Sequence, residues 1–138
     1  MKLSTRSRYS SRILLELAQQ HDRNPVQVRA IADRQKIPPK YIEQLIRTLK
    51  RVGWVASRRG PKGGHYLSTD AGTITLGDVV RLFEGQSELV GCIRDADSCP
   101  KAGKCTVRLA WRDATDALFE KLDNVTIADL ICGSPVID

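Results

Sequence analysis

Apolar residues recur at helical spacing through the first third of the chain. Tyr9, Ile13 and Leu17 stand four apart, and Leu14 and Ala18 widen the stripe, predicting a helix over Arg8–Gln20. His21-Asp22-Arg23-Asn24-Pro25 ends it with turn formers. A second helix is predicted over Val28–Gln35, with Val28, Ile31 and Ala32 inward. Ile37-Pro38-Pro39 breaks the chain, and Pro39 suits the first turn of a third helix. There Tyr41, Leu45, Leu49 and Val52, with Ile42, form the inner face. Lys40, Glu43, Gln44, Arg47 and Arg51 lie opposite, and Gly53 marks the stop. Two short helices joined by a brief turn, the second with a cationic outer face, read as helix-turn-helix.

The period then changes. In "WVASRRGPKGGHYLS" two strand-like pieces, Trp54–Arg58 and His65–Ser68, flank a Gly- and Pro-rich turn, predicting a β-hairpin. A hairpin directly after a recognition-like helix is a wing, and Arg58, Arg59 and Lys62 give it three cations. After a turn at Asp70-Ala71-Gly72, a short helix is predicted over Leu76–Glu84, ending at Gly85. Residues 86–105 carry no period, and so long a connection is uncommon unless functional or disordered. The longest helix is predicted over Thr106–Leu122, where Val107, Ala110, Trp111, Ala114, Ala117, Leu118 and Leu122 form a stripe. Its alanines admit another helix closely, so Val107, Trp111, Ala114 and Leu118 suggest a dimer seam; packing onto its own domain stays open. "NVTIADLI" predicts a last short helix capped by Thr126, with Asp129 three residues on. The expected fold is mainly α: a winged helix-turn-helix with a two-stranded β wing and a long dimerisation helix. Residues 1–74 form the expected DNA-binding region, and 75–138 hold the loop and the dimerisation helix.

Charge sharpens this division. Residues 1–70 carry 15 Lys and Arg against 5 Asp and Glu, a net of +10. Residues 71–138 carry 7 against 11, a net of −4. A basic first half joined to an acidic second half points to a polyanionic partner, here double-stranded DNA. Within the third helix Glu43 can accept from a cytosine amino group and Gln44 can bracket adenine. Lys40 and Arg47 can reach guanine or phosphate, with Tyr41 on the same helix. Wing cations suit phosphate contact or the minor groove. "GPKGG" lacks the Gly-Lys-Ser/Thr ending of a phosphate loop and reads as a hairpin turn. Two histidines, far in sequence from the cysteines, give no support to a hydrolase. No apolar run approaches the roughly 20 residues of a membrane span. Met1–Ser11 is polar and resembles no secretory signal.

Three of the four cysteines fall in "GCIRDADSCPKAGKC", at Cys92, Cys99 and Cys105. Such a chain is expected in the cytoplasm with reduced thiols, so metal or redox chemistry outranks a disulfide framework. Thiolates suit iron–sulfur clusters or zinc. Gaps of six and five residues are wider than the pairs of structural zinc sites. Arg94, Lys101 and Lys104 are expected to stabilise thiolates or an anionic cluster. Cys132, beside Leu130 and Ile131, reads as a packing residue.

Together "KLSTRSRYS", "YIEQLIRTLKRVGWVASRRGPKGGHYLS", "TLGDVVRLFEG", the cysteine trio, "LAWRDATDAL" and "VTIADLI" resemble the Rrf-two family of winged-helix repressors, IscR-like and NsrR-like. The resemblance spans essentially the whole chain. It implies a homodimeric regulator whose loop carries a 2Fe–2S or 4Fe–4S cluster on Cys92, Cys99 and Cys105. It also implies recognition-helix roles for Tyr41, Glu43 and Gln44, and places Arg59 beside the minor groove. IscR-like members supply a fourth ligand from a histidine where this chain has Arg108. NsrR-like members can use an acidic residue near the partner's N-terminus, but Met1–Leu15 has none. The fourth ligand is then exogenous or a hydroxyl such as Ser98 or Thr106. His65 stands where the wing motif more often has tyrosine. Control by thiol oxidation or a protein partner, and a zinc-stabilised adaptor, are the alternatives.

Overall fold

The computed structural model describes residues 2–85 and 88–133. The first helix, α1 (Thr5–Ala18), begins three residues before the predicted start at Arg8. Ser4 caps it, accepting from the Ser7 N–H. Ser7 and Ser10 are buried at 2% and 0% exposure, so serines extend the inward face where only apolar residues signal it in sequence. Glu16, also on α1 and 5% exposed, is held by the Arg34 guanidinium and by the Gln35 side-chain amide at 2.7 Å. Pairing and hydrogen bonding are what make a buried carboxylate tolerable.

Helices α2 (Val28–Gln35) and α3 (Pro39–Arg51) follow, joined by a turn in which Lys36 is left-handed and Ile37 plugs the core. Pro39 opens α3 without an orphaned N–H. Its buried face is Ile42, Leu45, Ile46 and Leu49, with Tyr41 at the edge. Val52 is a correction: it caps the helix and is 41% exposed, because the helix ends before that position completes the inner face. Gly53, at φ 84°, takes the left-handed turn that redirects the chain.

The wing is β1 (Val55–Arg58) paired antiparallel with β2 (Gly64–Leu67), in the register Val55 to Leu67 and Arg58 to Gly64. Its root is stitched by Val26, which exchanges backbone hydrogen bonds with His65 at 2.8 Å each. This third extended piece has a sequence signal only in the alternation of Pro25-Val26-Gln27-Val28. Gly64 permits it: at φ 151°, a Cβ there would lie 2.6 Å from the Val26 carbonyl carbon and oxygen.

The remaining helices are α4 (Leu76–Glu84), α5 (Thr106–Asp123) and α6 (Ile127–Ile131). Capping boxes start α4 (Thr75 with Asp78) and α6 (Thr126 with Asp129). The two caps sit side by side: Thr75 and Thr126 form an antiparallel bridge, with Leu76 donating to Val125 and Ile127 to Ile74, each at 2.9 Å. Ile127 thereby enters the core formed around Ile13, Leu14 and Leu17 by Ile31, Ile42, Leu49, Ile74 and Val79. Between α4 and α5, Arg81 grips Asp123 through two hydrogen bonds of 2.8 and 2.7 Å and lies over the Phe119 ring. This bond holds the Asp123 carboxyl below the usual carboxylate range. Among the described residues no helix is long and apolar enough to cross a membrane.

Candidate nucleic-acid interface and cysteine loop

Burying four aliphatic side chains fixes which side of α3 remains outside. Lys40, Glu43, Gln44 and Arg47 are all exposed on it. Tyr41 is half-buried: its hydroxyl pairs with Thr5 Oγ1 at 2.8 Å, and its ring meets Tyr9 edge-on at 5.8 Å between centroids. The outer face of α3 therefore combines donors, an acceptor and positive charge on a helix packed against α1.

The wing continues this surface. Arg58, Arg59 and Lys62 are exposed and, with Asn24, Pro25 and Pro61, line one hollow at the tip. Arg58 also stacks over the Tyr66 ring, at 5.4 Å from its centroid. At the turn Gly63 donates to the Gly60 carbonyl at 2.9 Å, so "GPKGG" is a hairpin turn as its composition indicates. His65 is half-buried and pairs with the Ser57 hydroxyl at 3.0 Å. Burial pushes its imidazole below the ordinary range, reinforced by the Lys50 charge and opposed by Glu43. Lys50 and Glu43 both belong to α3, which packs against the first strand of the wing. The pairing with Val26 and the contribution of Asn24 and Pro25 have no motif in the sequence.

The cysteine loop has more local order than its lack of periodicity suggests. Gln86 and Ser87, at its start, lie outside the described residues. Three short 3-10 turns follow: Gly91–Ile93, Ala96–Ser98 and Ala102–Lys104. Cys92 is within the first, Cys99 closes the second, and Cys105 follows the third as the cap of α5. All three are free and half-buried. Cys105 Sγ accepts from the Arg108 N–H at 3.4 Å. A thiol in that position meets the positive end of an 18-residue helix.

These donor types suit thiolate ligation, but the three are not drawn to one point. Among the described residues no three His, Cys, Asp or Glu side chains are grouped so as to hold an ion. Ser98 donates to the Asp95 carbonyl at 2.7 Å, and Thr106 is exposed at the head of α5. Arg94, expected to favour thiolates, instead pairs with Glu88 at 2.9 Å. Lys101 and Lys104 are exposed beside Cys105, in a hollow also lined by Pro100, Gly103 and Thr106. Cys132 is a second correction. It is exposed at the end of α6, where the helix stops before its side chain can reach the core.

Helix α5 divides its apolar stripe between two directions. Thr115 is buried, while Phe119 and Leu122 are half-buried alongside it. Val107, Leu109 and Trp111 are 57%, 50% and 45% exposed. Ala114 is also exposed and Leu118 is half-buried. The sequence identifies the stripe but cannot show where its own domain stops covering it.

A recognition-type helix, a basic wing and their common core define a winged-helix DNA-binding transcriptional regulator. The profile of the family Rrf2, described as "Iron-dependent Transcriptional regulator", matches residues 3–133, and the chain belongs to that family. This is a family of transcriptional regulators, not of enzymes. Protein rrf2 of Nitratidesulfovibrio vulgaris is 41% identical over 131 residues, covering 95% of this chain and 87% of that protein. CymR, the global cysteine regulator of B. subtilis, superposes with a TM-score of 0.81 at 34% identity, covering 97% of this chain and 98% of that one. T. potens IscR gives a TM-score of 0.78 at 30% identity, covering 97% and 88%.

Proposed function

We propose that the protein is a homodimeric repressor whose hold on its operator is set by an iron–sulfur cluster bound at the loop of residues 86–105. Residues 1–74 read DNA, and residues 75–138 sense and pair the subunits. The observation that carries the DNA reading is that Lys40, Glu43, Gln44 and Arg47 on α3, and Arg58, Arg59 and Lys62 on the wing that packs against it, are all exposed. Two such helices on a two-fold axis meet successive major grooves, with half-sites about 34 Å apart. A DNA partner also puts the protein in the cytoplasm.

Cys92, Cys99 and Cys105 would hold the cluster, which supplies redox and ligand-exchange chemistry when bound. The family's iron-dependent description supports this reading. Gathering the three thiols requires residues 91–105 to change shape, and Cys105 is also the cap of α5. A change there therefore reaches the first turn of the helix bearing Val107, Trp111, Ala114 and Leu118, the proposed seam between subunits. The cluster can shift the DNA-binding equilibrium only as far as it stabilises one loop shape more than the other.

Control by the thiols alone is the second reading, favoured by their separation here and by the likeness to CymR. Anaerobic purification separates the two. The cluster reading expects visible absorption together with iron and acid-labile sulfide, all lost from the Cys92, Cys99, Cys105 triple alanine variant. Colourless protein without metal, still responsive to thiol oxidation, would favour the second reading. Stoichiometric zinc without iron would overturn both.

A further inference from the structure

We infer that Arg108 is the positioning residue of the cysteine loop, a clamp that holds Cys92 and Cys105 to the first turn of α5 and leaves Cys99 outside its grip. The inference deepens the reading of this loop as the sensing element and rests on it. Arg108 Nε donates to the Cys92 carbonyl at 2.8 Å. Nη1 reaches the Ala102 carbonyl at 3.4 Å, and Nη2 reaches that of Ile93 at 3.5 Å. Its backbone N–H is the donor that meets Cys105 Sγ.

The three carbonyls belong to two different turns, one carrying Cys92 and the other leading into Cys105. A single planar fork thus joins the two ends of the described loop. Only a guanidinium offers this: it has five donors in fixed geometry, whereas lysine offers one point charge on a flexible stem. A guanidinium carries no free lone pair for metal, so Arg108 acts through the backbone rather than as a ligand. Among the described residues no distant side chain bonds to the middle turn, Ala96–Ser98. Its side-chain bonds run to Asp95, and Cys99 is tied through backbone alone, its N–H to the Ala96 carbonyl at 3.5 Å and its carbonyl to the Ala102 N–H at 3.1 Å. Two thiols thus lie on turns that Arg108 grips, and the third lies on a turn it does not.

The test uses full-length, reduced, metal-free protein, so its failure and that of the cluster reading are distinguishable. Amide hydrogen exchange and N-ethylmaleimide labelling, resolved by mass spectrometry, are compared for wild type, Arg108→Ala and Arg108→Lys. We expect Arg108→Ala to speed exchange within 91–95 and 102–105 about tenfold, in line with losing charge-assisted hydrogen bonds. Cys92 and Cys105 should label faster, while Cys99, Cys132 and the amides of α1 keep their rates. Arg108→Lys should behave like alanine. Three results would overturn the clamp: unchanged loop rates in both variants, full rescue by lysine, or equal acceleration throughout the chain.

Discussion

Glu84, the last residue of α4, is bound to Ser4, the cap of α1. One carboxylate oxygen accepts from the Ser4 N–H at 2.9 Å and from its hydroxyl at 2.5 Å. The Ser7 hydroxyl donates to the same oxygen at 2.6 Å, and Arg6 donates to the neighbouring Phe83 carbonyl at 3.0 Å. The end of the helix that leads into the cysteine loop is thus tied to the helix turn that carries Thr5, the partner of Tyr41 on α3.

The hydroxyls of Ser4 and Ser7 hold the Glu84 carboxyl below the usual carboxylate range, against the opposing effect of burial. Replacing Glu84 with alanine should cost about 1–2 kcal/mol at neutral pH. A depressed folded-state value means the contribution is complete above the unfolded value of about 4.3 and disappears as pH falls through the folded one. Denaturant unfolding of both proteins between pH 7 and 3 should show the gap constant at first and narrowing in acid. A gap that widens in acid would contradict the assignment.

Gly64→Ala should detach the wing. Its Cβ would meet backbone atoms of Val26, which cannot turn aside as a side-chain tip can. Added to backbone strain, the cost should be about 3 kcal/mol. Faster exchange at the Val26 and His65 amides, together with weakened DNA binding, is the expected pattern.

Arg59 and Glu43 should fail differently. Arg59→Ala should weaken binding on all sequences and lower the slope of log affinity against log salt by about 0.9 for each phosphate that is no longer neutralised. Glu43→Ala should relax preference at one base position by about 1–3 kcal/mol. Binding titrations at several salt concentrations, on operator and scrambled DNA, separate the two. Selection from random DNA identifies the operator first.

Trp111→Glu puts a charge in the middle of the bare stripe of α5. Sedimentation should then give a monomer where wild type gives a dimer, with the helical signal unchanged. An unaltered dimer would move the seam elsewhere.

Much of this architecture is legible in the sequence because it rests on strong local rules. Leu76–Glu84 is bounded by a Thr cap and a Gly stop, and the prediction and structure agree at both ends. Long-range relations are not legible. Ser7 and Ser10 look like surface residues until α4 and the core close over them, and Val26 pairs with His65 only once the wing is folded. Arg108 is visible as a substituted ligand position, but its carbonyl partners depend on turns that follow no period. Spacing or neighbours alone assign Val52 and Cys132 to the interior, yet each lies just beyond a helix end.

The bridge between Thr75 and Thr126 has a mechanical meaning. The chain returns beside its own path at these two threonines, and of the described residues between them only α4 joins the core, through Val79 and Phe83. The cysteine turns and α5 add no side chain to that core, so the pinched base, not the loop, fastens α6 against α1.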